Sequence, residues 1–476
     1  MITSAHNEKV SAALRLKKRT YRERERAFLV EGAQGVGEAL ACPGGLSRLY
    51  HSDPSHPLVD QARGRGAEVV HVSDDVMERL TSTVTPQGLL GVSPYLDVEL
   101  DRIDPAPSCV VLLHAVRDPG NAGTVLRSAD AAGADAIVFT SSSVDAYNPK
   151  TVRASAGSLF HLPVVRGVET AEAVAAVRER GARVLAMDAQ GEADLYEVDL
   201  TEPVAFLFGN EAWGLTGEIA GLADTTVRVP IRGGAESLNL AAAASVCLFE
   251  WRRQQREGRR AVLETIIASA AHDIRSPLTA MKGFGHALAT RWEQMTPEQR
   301  SLMLEGIVYD TDRLNAIVRQ LVDAARIAAG TIELFPERTN VGAVIEQVAA
   351  GLARDPDHPG IVWDGGELEA FIDPERLRLV IEAFVESLVW WTDEGPVRMR
   401  GALEGGRFVL EGWRKGTGLG AADAARLFEP RPPGTGAGSK IGLSVALGLA
   451  RSQGGTARAE VDGGLRFILD VAIATP

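Results

Sequence analysis

Apolar residues recur along this chain in two rhythms, and the change between them divides it. From residue 7 to about 94 the pattern is short and mixed. A basic helical stretch leads to the strand-like run Ala27-Phe28-Leu29-Val30, and Gly32 opens a helix reaching Leu40. A strand is predicted at 67–72, a helix near 74–80 and a further strand around 88–92. The segment 97–108, with Pro105 and Pro107, reads as a linker. From Cys109 the pattern becomes regular: 109–116, 136–140, 184–188 and 204–209 are apolar runs of strand length. The loop 117–123 is expected to precede a helix over 124–132, and 171–180 reads as another helix. Such alternation implies a largely parallel sheet, whose ligands sit beyond the carboxyl ends of its strands.

The stretch 227–253 closes this half, with a strand at 227–231, the pair Gly233-Gly234, the cluster Ser237-Leu238-Asn239 and an alanine-rich helix. A polar joint follows at 252–260, then helical spacing over 261–291. Thr296-Pro297 reads as an N-cap with proline at the first helical position, opening a helix to about Ala329. Its apolar positions Ile307, Leu314, Ile317 and Leu321 form one stripe. Two antiparallel helices cannot bury such stripes alone, so pairing with a second copy is expected. Beyond Gly330 the pattern is mixed again, with glycines clustered around Gly416, Gly434 and Gly454.

At 476 residues the chain exceeds what one core supports. Its 45% hydrophobic and 24% charged residues are those of a soluble globular protein. There is no apolar run long enough to span a membrane, and the polar N-terminus does not read as a signal peptide. Cys42, Cys109 and Cys247 have neither metal nor disulfide spacing, which points to a reducing cytoplasm. A net charge of −13 argues against indiscriminate nucleic-acid binding. One basic patch remains, with Lys9, Arg15, Lys17, Lys18, Arg19, Arg22, Arg24 and Arg26 at the N-terminus. It is either a solvated helix face or an RNA-phosphate contact, for which Lys17, Lys18, Arg19 and Arg22 are the candidates.

Three segments carry chemistry together: DPGNAGTVLR (118–127), FGNEAWGL (208–215) and SLN (237–239). Singly they read as a turn, a surface acid and a loop. In this order they resemble the signature motifs of the SpoU-type RNA ribose 2′-O-methyltransferases, a likeness that extends to DAYNPKTVRASAG (145–157) and to the N-terminal part, about 7–253 in all. The resemblance implies S-adenosylmethionine as cofactor, bound in the loops of a trefoil-knotted sheet. It implies contacts from Phe208, Gly209, Asn210, Val229, Ile231 and Leu238, and a catalytic set of Asn121, Arg127, Glu211, Ser237 and Asn239. No GxGxxG follows a strand, which disfavours a Rossmann-type methyltransferase. Arginine stays protonated in proteins, so stabilising an alkoxide is as consistent with Arg127 as the base role proposed for the family. The N-terminal part favours 23S rRNA as substrate, with tRNA as the alternative, and family enzymes are usually homodimers.

The second half resembles a sensor histidine kinase. SAAHDIRSPLTAM (269–281) looks like a phosphoacceptor box with His272 as acceptor, and 309–330 is similar to the second helix of that dimerisation domain. The ATPase part departs from the family pattern. Ala383 and Ser387 stand for its asparagines, Arg414 for its adenine-binding aspartate, and Lys440 for an inner glycine. These changes imply a kinase-like fold with weak or absent use of ATP, leaving His272 open to another kinase or a response-regulator partner. A signalling kinase with an RNA-binding sensor half is the competing reading. The expected architecture is α/β: an RNA-binding domain (1–96), a trefoil-knot methyltransferase domain (108–253), a two-helix dimerisation hairpin (261–330) and an α/β sandwich resembling an ATPase (331–476).

Overall fold

The structure, a computed structural model, describes residues 1–83, 86–352, 358–429 and 441–473. The chain forms two compact units, Met1–Arg256 and Glu257–Pro476. The glycine-box positions Gly434, Gly438 and Lys440 lie outside the described residues, as does the side chain of His272.

The first unit begins with α1 (Glu8–Arg15), α2 (Arg19–Glu25), β1 (Ala27–Glu31), α3 (Gly32–Ala41), β2 (Arg48–His51), α4 (Pro57–Gly64), β3 (Glu68–His71), α5 (Asp74–Leu80) and β4 (Leu89–Pro94). The strands make one sheet in the order β1-β4-β2-β3. The chain continues through β5 (Cys109–Leu113), α6 (Pro119–Ala132), β6 (Ala136–Thr140), α7 (Pro149–Ser155), β7 (Val164–Val168), α8 (Thr170–Glu179), β8 (Arg183–Met187), β9 (Ala193–Asp194), β10 (Val204–Phe208), α9 (Gly217–Ala220) and β11 (Thr225–Arg228). A second sheet results, ordered β7-β6-β5-β10-β8-β11-β9, with every pairing parallel. Its middle strands are buried on both faces, which explains their unbroken apolar runs. In β5, Cys109, Val111 and Leu113 enter one core while Val110 and Leu112 enter the core on the other face.

Polar groups join the two sheets. Arg22, 2% exposed, donates from Nε and Nη2 to Asp145 Oδ2 at 3.0 and 2.5 Å. Arg166 lies 3.0 Å from Glu23 and 3.3 Å from Asp97, and its guanidinium stands over the Tyr95 ring. Burial pushes the Tyr95 hydroxyl pKa up to about 12, so it stays protonated. Part of the N-terminal basic patch is correspondingly engaged within the chain. Arg22 is an internal clamp and not a phosphate contact, Lys17 donates to the carbonyls of Arg79 and Thr81, and Arg19 pairs with Glu23. Lys18 stays exposed.

Helix α10 (Leu240–Arg291) is one element of 52 residues, so the run 252–260, expected as a joint, is helical. It is followed by α11 (Pro297–Ala329), whose start is the expected cap. Thr296 Oγ1 accepts the Gln299 N–H, and the Gln299 side chain accepts the Thr296 N–H. The two helices pack where Gly306 faces Phe284 and Thr311 meets Met281.

The rest of the second unit comprises β12 (Glu337–Asn340), α12 (Val341–Leu352), β13 (Ile361–Trp363), β14 (Glu369–Ile372), α13 (Pro374–Trp391), β15 (Thr392–Glu404), β16 (Arg407–Thr417), α14 (Ala421–Ala425), α15 (Gly442–Arg451), β17 (Thr456–Val461) and β18 (Gly464–Ala472). A five-stranded sheet, β13-β15-β16-β18-β17, packs against α13 and α15 around Phe384, Phe428 and Phe467. This is the expected α/β sandwich.

Candidate active site

The carboxyl end of β5 ends in an unusual residue. Ala115 has φ of +52°, a region that disfavours a side chain, and three polar groups hold it there or just beyond. Ser142 Oγ accepts the Ala115 N–H at 3.2 Å, Ser143 Oγ accepts the Val116 N–H at 3.3 Å, and Asn210 Nδ2 donates to the Ala115 carbonyl at 2.7 Å. The turn redirects the chain into Arg117-Asp118.

There the structure differs from the expected loop. Helix α6 starts at Pro119, because Asp118 caps it, accepting the Asn121 N–H at 2.9 Å, and proline suits the first position. Asn121 therefore sits in the first turn of a helix. Asp118 is itself held by Lys150 at the start of α7, 2.8 Å away. That ion pair, followed by the N–H of Asn121, keeps the Asp118 carboxyl below its ordinary pKa. Neither Asp118 nor Lys150 was singled out as a site residue. The pattern Asn-Pro-Lys, a cap followed by proline, was the available signal.

The 208–215 segment supplies Glu211. Burial alone would raise its pKa. The N–H groups of Arg117 and Asp118, each 3.0 Å from its oxygens, together with Asn121 Nδ2 at 3.3 Å, bring it below the ordinary value. Asn210 is buried and closes this loop, pairing with Gly214 through two backbone bonds of 2.9 Å. A Cβ on Gly209 would lie 2.4 Å from the Gly214 carbonyl oxygen. The close approach that demands glycine at 209 is thus made by the chain itself, where a ligand was expected. The third segment arrives at α10, where Asn239 Oδ1 caps the helix by accepting the Ala241 N–H at 2.9 Å while its Nδ2 donates to Asn121 Oδ1 at 3.1 Å.

Asn121, Glu211 and Asn239, from the three motifs, therefore meet in one hydrogen-bonded cluster. Arg127 does not join it. It projects from the exposed side of α6, on the same stripe as Gly120 and Thr124, and has no ion pair among the described residues. Ser237 is exposed in the 232–239 loop, also outside the cluster. Phe208 is buried at the end of β10, whereas Val229 and Ile231 are half-buried beyond β11, which ends at Arg228, short of the expected strand. Leu238 is 40% exposed and Trp213 is 60% exposed. Apolar side chains left in water at the carboxyl ends of parallel strands suit the apolar part of a nucleoside-sized ligand. Of the residues expected to hold S-adenosylmethionine, Leu238, Val229 and Ile231 offer side chains suited to its apolar parts, whereas main-chain groups of Phe208 and Asn210 are already bonded to His114 and Gly214.

Comparison with known proteins places these features. Residues 108–249 match the SpoU rRNA Methylase family, 7–91 the MRM3-like substrate binding domain, and 262–330 the His Kinase A (phospho-acceptor) domain. The 23S rRNA (guanosine(2553)-2′-O)-methyltransferase RlmP of Bacillus subtilis (strain 168) is 35% identical over 251 residues, which cover 53% of this chain and 98% of that protein. The 23S rRNA (uridine(2479)-2′-O)-methyltransferase of Streptomyces viridochromogenes is 34% identical over 254 residues, covering 51% and 88% respectively. An AdoMet-bound rRNA methyltransferase from Sinorhizobium meliloti, of known structure, has a TM-score of 0.49 at 34% identity and covers 53% of this chain and 97% of its own. With residues of its three motifs meeting at the carboxyl end of the parallel sheet and relatives matched over nearly their full length, the chain belongs to the SpoU rRNA methylase family.

Proposed function

We propose that this protein transfers a methyl group from S-adenosylmethionine to a ribose 2′-hydroxyl of 23S rRNA. The observation that carries the reading is the Asn121–Glu211–Asn239 cluster, and the near full-length relatives that act on 23S rRNA support the substrate. The cofactor supplies an electrophilic sulfonium methyl when bound. The remaining work falls to the chain. A ribose hydroxyl is a weak nucleophile and must lose its proton as it reacts. Asn121 has its Oδ1 engaged by Asn239 and its Nδ2 by Glu211, which fixes the amide and leaves one N–H and one lone pair for the ribose or its phosphate. Arg127, exposed and without an internal carboxylate, stabilises the developing alkoxide electrostatically.

The second unit serves as a dimerising and regulatory module that does not use ATP. Three observations support this. The paired helices leave Leu302, Val308, Tyr309 and Val318 at least half exposed, and Leu302 and Tyr309, seven residues apart, share a face that a second copy would cover. Arg414 is 8% exposed, and its guanidinium donates to the carbonyls of Gly395, Val389 and Thr392, where the family would bind adenine. Ser387, at the expected metal-binding position, is buried. No helix among the described residues is long and apolar enough to cross a membrane. The test of the principal reading is methyl transfer to 23S rRNA by the wild type and by Asn121→Ala and Arg127→Ala. Loss in both variants with the fold retained supports it, and wild-type turnover in either removes the assignment.

A further inference from the structure

Where the first sheet meets α7 there is a cavity of about 200 Å³ that the motif cluster does not use. Its floor is apolar, made by Val30, Leu89 and Val152, which are 1%, 2% and 6% exposed. Into this floor is set Glu31, whose side chain is 6% exposed. One carboxylate oxygen accepts the Ser82 N–H at 2.9 Å. The other, Oε2, is buried and accepts no hydrogen bond among the described residues, while Arg153 Nη1 stands 3.6 Å away at the rim. Leaving such an oxygen unmatched costs about 1–3 kcal/mol or more. A packing gap between two sheets would be apolar and dry. This one holds a buried acceptor, a guanidinium at its mouth and a half-buried aromatic ring, Phe160.

We propose that the cavity receives an unstacked guanine of the RNA substrate, at a nucleotide other than the one methylated. The inference rests on the chain being an RNA-modifying enzyme. The choice of base follows from the acceptor. Guanine alone among the four bases presents two adjacent donors, N1–H and N2–H, on its Watson–Crick edge, and a carboxylate matches that pair. Adenine and cytosine place an acceptor beside their single amino group, and uracil flanks its one N–H with two carbonyls, so each sets a lone pair against Glu31. Gln87 Oε1 accepts the Ala33 N–H, which leaves Gln87 Nε2 as a donor for guanine O6 or N7. Arg153 is exposed enough at the rim to meet the phosphate of the same nucleotide. Single-stranded RNA is read in this way, by bases splayed out and bonded along their edges.

The position links the cavity to the motif cluster. Arg153 lies one turn along α7 from Lys150, about 4.5 Å along the helix axis, and Lys150 holds the Asp118 cap. The same short helix thus contributes both to the cavity and to the Asp118 cap beside Asn121.

The experiment uses the full chain and four probes, GMP, IMP (which lacks the N2 amino group), AMP and guanosine, with binding followed by saturation-transfer difference NMR. The wild type is expected to bind GMP about tenfold or more tightly than AMP, with IMP between them. Glu31→Gln keeps an acceptor for Ser82 but should abolish the preference. Arg153→Gln should weaken GMP and leave guanosine unchanged. Absence of saturable GMP binding, equal affinity for GMP and AMP, or a preference that survives Glu31→Gln overturns the proposal. The arms separate it from the functional reading. A chain that selects GMP through Glu31 yet methylates no RNA would keep the pocket and lose the transferase, and the converse result would do the opposite.

Discussion

Asn239 Nδ2 donates to Asn121 Oδ1 at 3.1 Å, joining the first and third motifs across 118 residues of chain. The same Asn239 caps α10, so one side chain both starts a helix and holds the Asn121 amide. Asn239→Ala should cost about 1 kcal/mol through the lost cap. It should lower methyl transfer far more, on the order of a hundredfold, because the Asn121 amide is no longer held. Thermal unfolding and single-turnover methyl transfer measured side by side would show it, and equal modest losses in both would count against a positioning role.

Glu211 makes acid stability depend on the cluster. Its carboxyl pKa is lowered in the folded chain, because hydrogen bonds from Arg117, Asp118 and Asn121 outweigh burial. A lowered carboxylate pKa gives stabilisation that is complete above the ordinary carboxylate range and lost as pH falls through the folded value. Between neutral pH and about pH 5 the loops should therefore hold, and they should loosen in stronger acid. Urea titrations across pH 3 to 7 should show that Glu211→Gln, which accepts fewer of these bonds, flattens the acid limb. An acid limb unchanged by the substitution would mean Glu211 is not the group responsible.

Arg22 and Lys18 sit in the same basic run and should behave differently. Arg22 and Asp145 are 2% and 3% exposed, and removing one partner of a buried pair costs about 3–5 kcal/mol. Arg22→Ala should lower the melting temperature of the first unit sharply, whereas Lys18→Ala should leave it unchanged. RNA binding at several salt concentrations should show the reverse order of relevance, with Lys18→Ala reducing the salt slope.

The guanidinium of Arg414 ties together the end of α13 and the start of β15. Calorimetric titration of the full chain with magnesium ATP is expected to give no binding heat. Arg414→Ala should destabilise the second unit by about 1–3 kcal/mol, since buried carbonyls lose their donor. Robust phosphorylation of His272 from ATP by the wild type would contradict the role assigned to this unit.

Much of the fold was legible in the sequence because buried parallel strands leave unmistakable apolar runs, as in Cys109–Leu113 and Val204–Phe208. Short elements were not. Arg48–His51 has four residues and Ala193–Asp194 two, too few for periodicity to register, and β7 carries Arg166 and Gly167 within it. The start of α6 was misplaced because Asp-Pro-Gly-Asn is equally a turn and a capped first helical turn, and only the Asp118 hydrogen bond decides. The three motifs were legible, yet which of their residues meet was not. That Asn121 is held by both other motifs, that Gly209 is required by Gly214, and that Arg22 is an internal clamp all depend on contacts distant in sequence.

The most direct test is transfer of a labelled methyl group from S-adenosylmethionine to 23S rRNA, with the modified ribose mapped, for the wild type and Asn121→Ala. One 2′-O-methylated nucleotide is expected with the wild type and none with Asn121→Ala, whose melting temperature and cofactor binding remain near wild type. Methylation on a base atom, or undiminished ribose methylation by Asn121→Ala, would contradict it.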